Sequence, residues 1–293
     1  MKISRSSIVL LRFPFSLFLA PVYLFALSQS EAIKWERALL SFFILHVLVY
    51  PSSNGFNSFM DRDTTSIGGL EKPPQPAIDL LYIAWLMDIL AVLSSLLLHP
   101  QIATLTALYI LASRAYSDRK VRLKKRPVTG FLVVTIFQGG VAFLISYMSI
   151  NALTLPGALH TGPALCMLAS SLLIGASYPL TQIYQHKPDL ANGDVTISYR
   201  LGVRGTFVFS SILFVLGLAA LYLYFRIKGQ AWQFVLFTLF TLPVMTFLTW
   251  WFMQTIRKPE KADFRNAMRM NTVSSASMAA YFLLMTIYNN LSP

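Results

Sequence analysis

A polar stretch with chemically capable side chains, NGFNSFMDRD (54–63), interrupts the apolar N-terminal part of this chain. Asn54, Asn57 and Asp61 follow one another at intervals of three and four residues, so a helix would place all three on one face. Asp63 adds a second carboxylate just beyond them. A face with amide and carboxylate oxygens offers the donor types that a hard cation prefers.

A second stretch, QHKPDLANGDVT (185–196), has the same character. Gln185 and Asp189 are four residues apart, Asp194 follows, and Pro188 predicts that a helix here is kinked or begins again. Oxygen ligands at two such places suit Mg²⁺, which usually takes one or two carboxylates and leaves its other positions to water and substrate phosphate. The alternative is that both stretches are solvated helix ends, where Asp and Asn are common caps.

Between these stretches lies RAYSDRKVRLKKRP (114–127), in which half of the residues are basic. Arg122 and Lys124 alternate with the apolar Val121 and Leu123, a pattern that can turn two cations towards one ligand. Beside a metal site, the planar fork of Arg and the point charge of Lys would bind a diphosphate. The alternative is that the run only holds the orientation of the chain in a membrane. Nucleic acid is not an expected partner, because the run is short and lies between two apolar spans.

The composition of the chain is that of a membrane protein. Of its 293 residues, 55% are hydrophobic and 12% are charged, the mean hydropathy is +0.58, and soluble domains are about 25% charged. The only cysteine, Cys166, excludes a disulfide framework. Because about 20 apolar residues cross the hydrocarbon core, we expect an all-α polytopic membrane protein with nine transmembrane helices in a single domain, 1–293. The predicted spans are 8–28, 36–54, 77–98, 101–117, 128–149, 162–184, 205–226, 231–253 and 270–290.

The positions of Lys and Arg predict the orientation, since basic loops are retained on the cytoplasmic side of a membrane. We expect a cytoplasmic N-terminus and an outer C-terminus, in a bacterial inner membrane. With this orientation, the basic residues left on the outer face are Lys34, Arg37, Arg226 and Lys228. The start MKISRS and the apolar residues after it resemble a signal peptide, but Arg12 and Pro14 interrupt the apolar part. We therefore interpret it as the first helix.

The order and placement of the three polar stretches resemble those of the UbiA-type intramembrane prenyltransferases, a superfamily of nine-helix proteins. Its members use two Asp-rich motifs and Mg²⁺ to bind an isoprenyl diphosphate and to transfer the prenyl group to an acceptor. The resemblance covers nearly the whole chain, because it includes the helix count, the orientation and three motif-bearing cytoplasmic loops.

Three motifs carry this resemblance. The first motif of the family, Asn-Asp-x-x-Asp-x-x-x-Asp, is similar to NSFMDRDTT, in which Asn57 and Asp61 match and Asp63 is an additional acid. The tyrosine-plus-basic loop of the family is similar to YSDRKVRLKKRP, and its second motif, Asp-x-x-x-Asp-x-x-x-Gly, is similar to QHKPDLANGDVT. The matching residues of these two stretches are Tyr116, Arg122, Lys124, Asp189 and Gly193.

Three positions depart from the pattern of the family. Ser58 and Thr65 stand where the first motif usually has acids, and Gln185 stands where the second motif usually opens with Asp. Neutral oxygens are possible but weaker ligands for a hard cation. Asp63 and Asp194 lie nearby in the sequence and could compensate.

The resemblance implies a Mg²⁺-dependent prenyltransferase that acts on a lipophilic, membrane-associated acceptor such as a quinone, carotenoid or lipid precursor. The residues implied in catalysis are Asn57, Asp61 and Asp189. The implied Mg²⁺ ligands are Asn57, Asp61, Asp63, Gln185, Asp189 and Asp194. The implied diphosphate ligands are Lys72, Tyr116, Arg122 and Lys124, with Arg62 as a further candidate. The active site would lie on the cytoplasmic side, next to the membrane lipids.

Some features leave alternatives open. Three missing carboxylates would also suit a transporter or lipid-binding protein that kept this scaffold and lost the chemistry, although most of the acids lie at one membrane face. The segment SIGGLEKPPQP (66–76) could close over the diphosphate or could be a plain connector. Asp88, in the middle of a span, is either functional or a packing residue hydrogen-bonded to Gln138.

Overall fold

The computed structural model describes residues 3–291, and apart from one bridge between Ile67 and Leu70 its regular structure is helical. This confirms the all-α class. Nine long helical segments follow one another along the described chain. They are α1 (Arg5–Ser28), α2 (Trp35–Asp61), α3 (Ile78–Leu96), α4 (Pro100–Ser117), α5 (Pro127–Asn151), α6 (Thr161–Ala191), α7 (Ile197–Ile227), α8 (Ala231–Arg257) and α9 (Phe264–Leu291).

Eight of these segments within the described chain, all except α4, are long and apolar enough to cross a membrane. Helix α4 coincides with the predicted fourth span, 101–117, but its mean hydropathy is lower than that of the eight apolar segments. The polar residues responsible are Gln101, Thr104, Thr106, Ser113, Arg114 and Ser117. The chain is therefore an integral membrane protein with eight apolar spans and one more polar long helix.

Helix α1 is interrupted where the sequence predicted a continuous span, 8–28. Arg12 has a left-handed backbone with φ of 51°, which separates a first helical stretch, Arg5–Leu10, from a second that begins at Phe13. A left-handed conformation strains a residue with a side chain, so surrounding contacts must hold it. The break turns the side chain of Arg12 into the bundle, where it is buried.

Two helices begin earlier than predicted. Helix α7 starts at Ile197, capped by the Thr196 side chain, and bends at Gly202, where φ is 67°. Helix α9 starts at Phe264 and not at residue 270. In both cases polar and basic residues occupy the first turns. The apolar run that predicted the span therefore begins after the start of the helix.

The centre of the bundle depends on a close approach of α5 to α6. Gly139 lies in a π-helical turn of α5, Ile136–Val141, and a Cβ atom added there would lie 2.5 Å from Ser171 Cα on α6. Small residues let the backbones of two membrane helices come this close, which maximises their van der Waals contact. This contact positions α6, whose C-terminal end carries the second motif.

We expect Gly139→Ala to destabilise the protein by about 1–3 kcal/mol, because the new methyl group would push α5 and α6 apart. Thermal unfolding of the detergent-purified protein measures the effect. Gly157→Ala is the matched control, since its nearest neighbouring atom would be an ordinary 3.6 Å away. Equal unfolding temperatures for the two variants would contradict the prediction.

Candidate functional site

The two motif-bearing helix ends and the basic segment meet at one cavity of about 320 Å³. Most of the residues that the sequence singled out line it. They are Asn57, Asp61, Asp63, Tyr116, Lys124, Gln185, Asp189 and Asp194. Arg122 does not line the cavity but contacts two of these residues. Lys72 and Arg62 are exposed and do not line it.

The first motif occupies the last turns of α2. The Asn57 side-chain nitrogen donates to Asp61 Oδ2 at 2.9 Å and to Ser117 Oγ at 3.1 Å, so the predicted common helical face is present. These two hydrogen bonds use both N–H donors of the amide and orient its oxygen. Asn57 therefore keeps an acceptor oxygen for a further ligand.

The basic segment connects α4 to α5 and pairs with carboxylates from both motifs. Arg122 Nε and Nη2 donate to the two oxygens of Asp194 at 2.7 and 2.8 Å. Lys124 Nζ lies 2.6 Å from Asp61 Oδ2 and 3.1 Å from Asp194 Oδ2. The carboxylates are only 4% and 2% exposed, so water screens these pairs little. We call Asp61, Asp194, Arg122 and Lys124 the ion network.

The second motif lies at the C-terminal end of α6, where the type of helix changes. A 3₁₀ stretch, Tyr178–Gln185, gives way to a short helix that begins at His186, as the position of Pro188 predicted. Gly193 then turns the chain with φ of 72°, and the Asp194 backbone N–H donates to the Asp189 carbonyl at 2.8 Å. This turn places both carboxylates of the motif at the cavity.

The three positions that depart from the family pattern are not equivalent in space. Ser58 is buried, does not line the cavity, and its hydroxyl has no hydrogen-bond partner within the described chain. Thr65 is exposed and is also absent from the cavity wall. Gln185 does line the cavity, and its side-chain nitrogen donates to the Ser66 carbonyl at 3.3 Å. Only Gln185 therefore presents a neutral oxygen to the cavity at these positions.

Two carboxylates of the cavity are outside the ion network. Within residues 3–291, neither Asp63 nor Asp189 has a basic group within 4.0 Å. Burial and then the nearby Asp61 carboxylate raise the pKa of Asp63 above its ordinary value. A cation placed beside Asp63 would offset this cost, because it favours the ionised form. The oxygens of Asp63 and Asp189 are thus available to an added cation.

Arg12 is a cavity residue that the sequence reasoning missed. Its guanidinium donates to the carbonyls of Gly68 at 3.0 Å and Asn54 at 3.1 Å, and its Nε has no partner in the described chain. The residue is 7% exposed and lines the cavity. The available signal was an arginine inside an apolar span, where a charge marks a functional candidate; the sequence reasoning used it only as an interruption of the apolar run.

Aromatic side chains form much of the remaining wall. The hydroxyls of Tyr116 and Tyr178 are hydrogen-bonded to each other, and the Gln182 side-chain nitrogen donates to Tyr178 at 2.8 Å. Farther along the helices, the rings of Phe25 and Phe282 stack at 4.7 Å. The other aromatic rings of the wall include Tyr50, Tyr109 and Phe137. The cavity therefore combines a charged end with an apolar interior.

The segment 66–76 packs against the bundle near the cavity. Ile67 is 4% exposed, and Ile67 and Gly68 both belong to the cavity wall. A Cβ atom on Gly68 would lie 2.5 Å from the Phe15 ring of α1, so the absence of a side chain allows the close approach. The segment forms part of the cavity boundary in this structure.

Comparisons with known proteins agree with this architecture. The sequence model of the UbiA prenyltransferase family matches residues 16–273, whereas a search among curated proteins gave no match. A solved UbiA homolog from Archaeoglobus fulgidus bound to GPP and Mg²⁺ is similar with a TM-score of 0.69 and 14% identity, over 96% of this chain and 99% of that one.

Two further solved structures are similar over nearly their whole length. A UbiA homolog from Archaeoglobus fulgidus bound to DMAPP and Mg²⁺ has a TM-score of 0.68 and 15% identity, over 96% of this chain and 99% of that one. A digeranylgeranylglyceryl phosphate synthase has a TM-score of 0.61 and 16% identity, over 99% of each chain. At these identities the structural likeness shows a shared fold.

Asp88 belongs to a separate cluster. It pairs with Arg114 of α4, and the Ser52 hydroxyl donates to its other oxygen at 2.6 Å. The Arg114 guanidinium also lies over the Phe56 ring, 4.1 Å from its centroid. The partner of Asp88 is therefore Arg114. Gln138, which the sequence suggested as its partner, lines the cavity instead. The cluster joins α2, α3 and α4.

We expect Arg114→Met to destabilise the protein by about 3–5 kcal/mol, because it leaves the Asp88 carboxylate unpaired in the bundle. The double variant Asp88→Leu/Arg114→Met should recover most of this loss, since it removes both charges. Thermal unfolding in detergent measures both effects. A double variant no more stable than the single one would argue against a mainly structural ion pair.

Proposed function

The chain belongs to the UbiA prenyltransferase family, and on that premise we propose that it transfers a prenyl group from an isoprenyl diphosphate to a membrane-associated acceptor in a Mg²⁺-dependent reaction. The acceptor class is a quinone, carotenoid or lipid precursor. One observation carries the proposal: a single cavity combines oxygen donors from two helix ends, cations from the segment between them, and an apolar interior.

The donor set of the cavity fits Mg²⁺. Asp63 and Asp189 have no ion pair within the described chain, and Asp61 Oδ1 has no hydrogen-bond donor there. In residues 3–291 no group of three or more His, Cys, Asp or Glu side chains is placed to hold a metal by itself. Mg²⁺ usually takes one or two carboxylates and leaves its other positions to water and phosphate. The candidate donors are Asn57, Asp61, Asp63, Gln185, Asp189 and Asp194, of which Asp61 and Asp194 already pair with Lys124 and Arg122.

The diphosphate would bind to cations of the cavity. Lys124 uses two of its three N–H donors in the ion network, so one remains for a phosphate oxygen. The Tyr116 hydroxyl, near the end of α4, would contribute a further donor, and Arg122, which does not line the cavity, would add its positive charge through the ion network. Arg12 joins this set, because its buried guanidinium lines the cavity without a carboxylate within 4.0 Å in the described chain. Lys72, outside the wall, has no part in the proposal.

These residues account for the reaction through charge and the exclusion of water. The bond between the allylic carbon and the diphosphate oxygen breaks, and Arg12, Arg122 and Lys124 stabilise the negative charge that grows on the leaving group. When bound, Mg²⁺ supplies further positive charge for the same purpose. The apolar wall excludes water, and the faces of Tyr109 and Phe137 stabilise the allylic cation. The acceptor then forms the new bond and releases a proton.

We further propose that helix α4 crosses the membrane together with the eight apolar spans, which gives nine crossings in one domain, 1–293. The N-terminus then lies in the cytoplasm of a bacterial cell, as the basic loops indicate. The cavity then lies at the cytoplasmic side of the inner membrane, because the basic segment lies there.

A second candidate function is a transporter or lipid-binding protein that has lost the chemistry. The observation in its favour is that Gln185 presents a neutral side chain to the cavity where the second motif of the family usually opens with Asp. The retained Asn57, Asp61 and Asp189, with the additional Asp63, favour the enzyme.

We expect Mg²⁺ and a prenyl diphosphate together to stabilise the wild type by about 2.7 kcal/mol at a hundred times the Kd, and Asp189→Ala to abolish this effect. Adding a lipid extract that contains an acceptor should then release diphosphate from the wild type only. The control is Glu260→Ala, an exposed acid away from the cavity. A wild type that binds no diphosphate with or without metal would support the lipid-binding alternative.

Single cysteines test the topology. In a Cys166→Ser background we expect a membrane-impermeant maleimide to label Lys125→Cys only in inside-out vesicles and Glu31→Cys only in right-side-out vesicles. Both positions are exposed. The reverse labelling would contradict the proposed orientation.

A further inference from the structure

The ion network binds the two motifs together with protein cations. Lys124 Nζ contacts both Asp61 and Asp194, and Arg122 donates twice to Asp194 while its Nη1 lies 3.4 Å from Asp61 Oδ1. Two positive and two negative charges therefore neutralise one another. Lys124 thus lies between a carboxylate of the first motif, Asp61, and a carboxylate of the second, Asp194. A metal ion bound by both motifs would have to lie between the same two carboxylates.

The carboxylates that remain outside this network are few. Among the carboxylates that line the cavity in the described chain, only Asp63 and Asp189 have no ion-pair partner. The replaced acids of the first motif do not add to them, because Ser58 and Thr65 do not reach the cavity. Mg²⁺ is usually bound by one or two carboxylates with phosphate and water. The two available carboxylates thus suffice for one ion.

We propose that this site binds a single Mg²⁺ at Asp63 and Asp189, and that Lys124 and Arg122 take the place of a second metal ion between Asp61 and Asp194. The inference rests on the proposed function, which requires Mg²⁺ and a diphosphate in the same cavity. Asp63 then serves as a metal ligand in place of the missing motif acids. Asn57 and Gln185, whose side chains carry neutral oxygens, line the same cavity.

The cost of rearranging the ion network supports a single ion. A metal between Asp61 and Asp194 would have to displace Lys124 and Arg122, whose side chains are only 12% and 11% exposed. Cations that lose their carboxylates in such a place are strongly disfavoured unless another anion pairs with them, and the diphosphate would then have to compensate both. An ion at Asp63 and Asp189 displaces no pair, and it relieves the repulsion between Asp63 and the Asp61 carboxylate.

The first test counts metal ions without relying on turnover. The full chain in detergent is titrated with Mn²⁺, which prefers the same oxygen ligands, in the presence of inorganic diphosphate, and free Mn²⁺ is measured by electron paramagnetic resonance. We expect one Mn²⁺ per chain. Two bound ions would overturn the inference but leave the proposed function intact, whereas a protein that binds neither Mn²⁺ nor diphosphate would overturn both.

A matched pair of variants then locates the ion. Asp63→Asn should weaken Mn²⁺ binding by about tenfold or more, while Asp61→Asn should retain one bound ion, because Asp61 contacts Lys124, Arg122 and Asn57 and does not hold the proposed ion. Thermal unfolding without ligands verifies that both variants are folded. Loss of Mn²⁺ binding in Asp61→Asn with normal binding in Asp63→Asn would overturn the assignment.

Discussion

The pairing of Asp61 and Asp194 with Lys124 and Arg122 is the interaction on which the end of the protein that contains both motifs depends. An ion that leaves water for a low-dielectric interior costs several kcal/mol unless an opposite charge with good geometry compensates it. Asp61 ends α2, Asp194 follows α6, and their cations come from the connection between α4 and α5. Apolar packing can hold the spans side by side. The pairing of these charges determines how their ends lie relative to one another.

The cavity beside the ion network has two different regions. Its charged end contains the motif residues, and its interior contains stacked aromatic rings such as Phe25 and Phe282. Phe25 follows Arg12 by thirteen residues, which at the helical rise corresponds to about 20 Å along α1. A molecule with an anionic head and a long isoprenoid tail has the same division of polarity. The cavity therefore suits the substrate class that the UbiA family uses.

Two arginines within helical segments, Arg12 and the partly buried Arg114, show why a charge in a span has to be interpreted from its neighbours. Arg114 pairs with Asp88 and stacks on Phe56, so its charge is neutralised within the helix bundle. Arg12 donates to two backbone carbonyls and lines the cavity, with no carboxylate within 4.0 Å in the described chain. Arg12 is a single basic residue in apolar sequence, whereas Arg114 opens the basic stretch 114–127. Only Arg12 remains available to an anionic ligand.

The sequence by itself determined the helical membrane class, the order of the spans and the family, because apolar runs and motif spacings are local properties of the chain. It also identified most of the residues around the cavity, since Asn57 and Asp61 are neighbours on one helix. Only the tertiary structure decided which charges meet: that Asp194 pairs with Arg122, that Asp88 pairs with Arg114 instead of Gln138, and that Arg12 faces the cavity. These contacts join residues distant in the sequence, and the packing of whole helices sets them. No local spacing encodes such a contact.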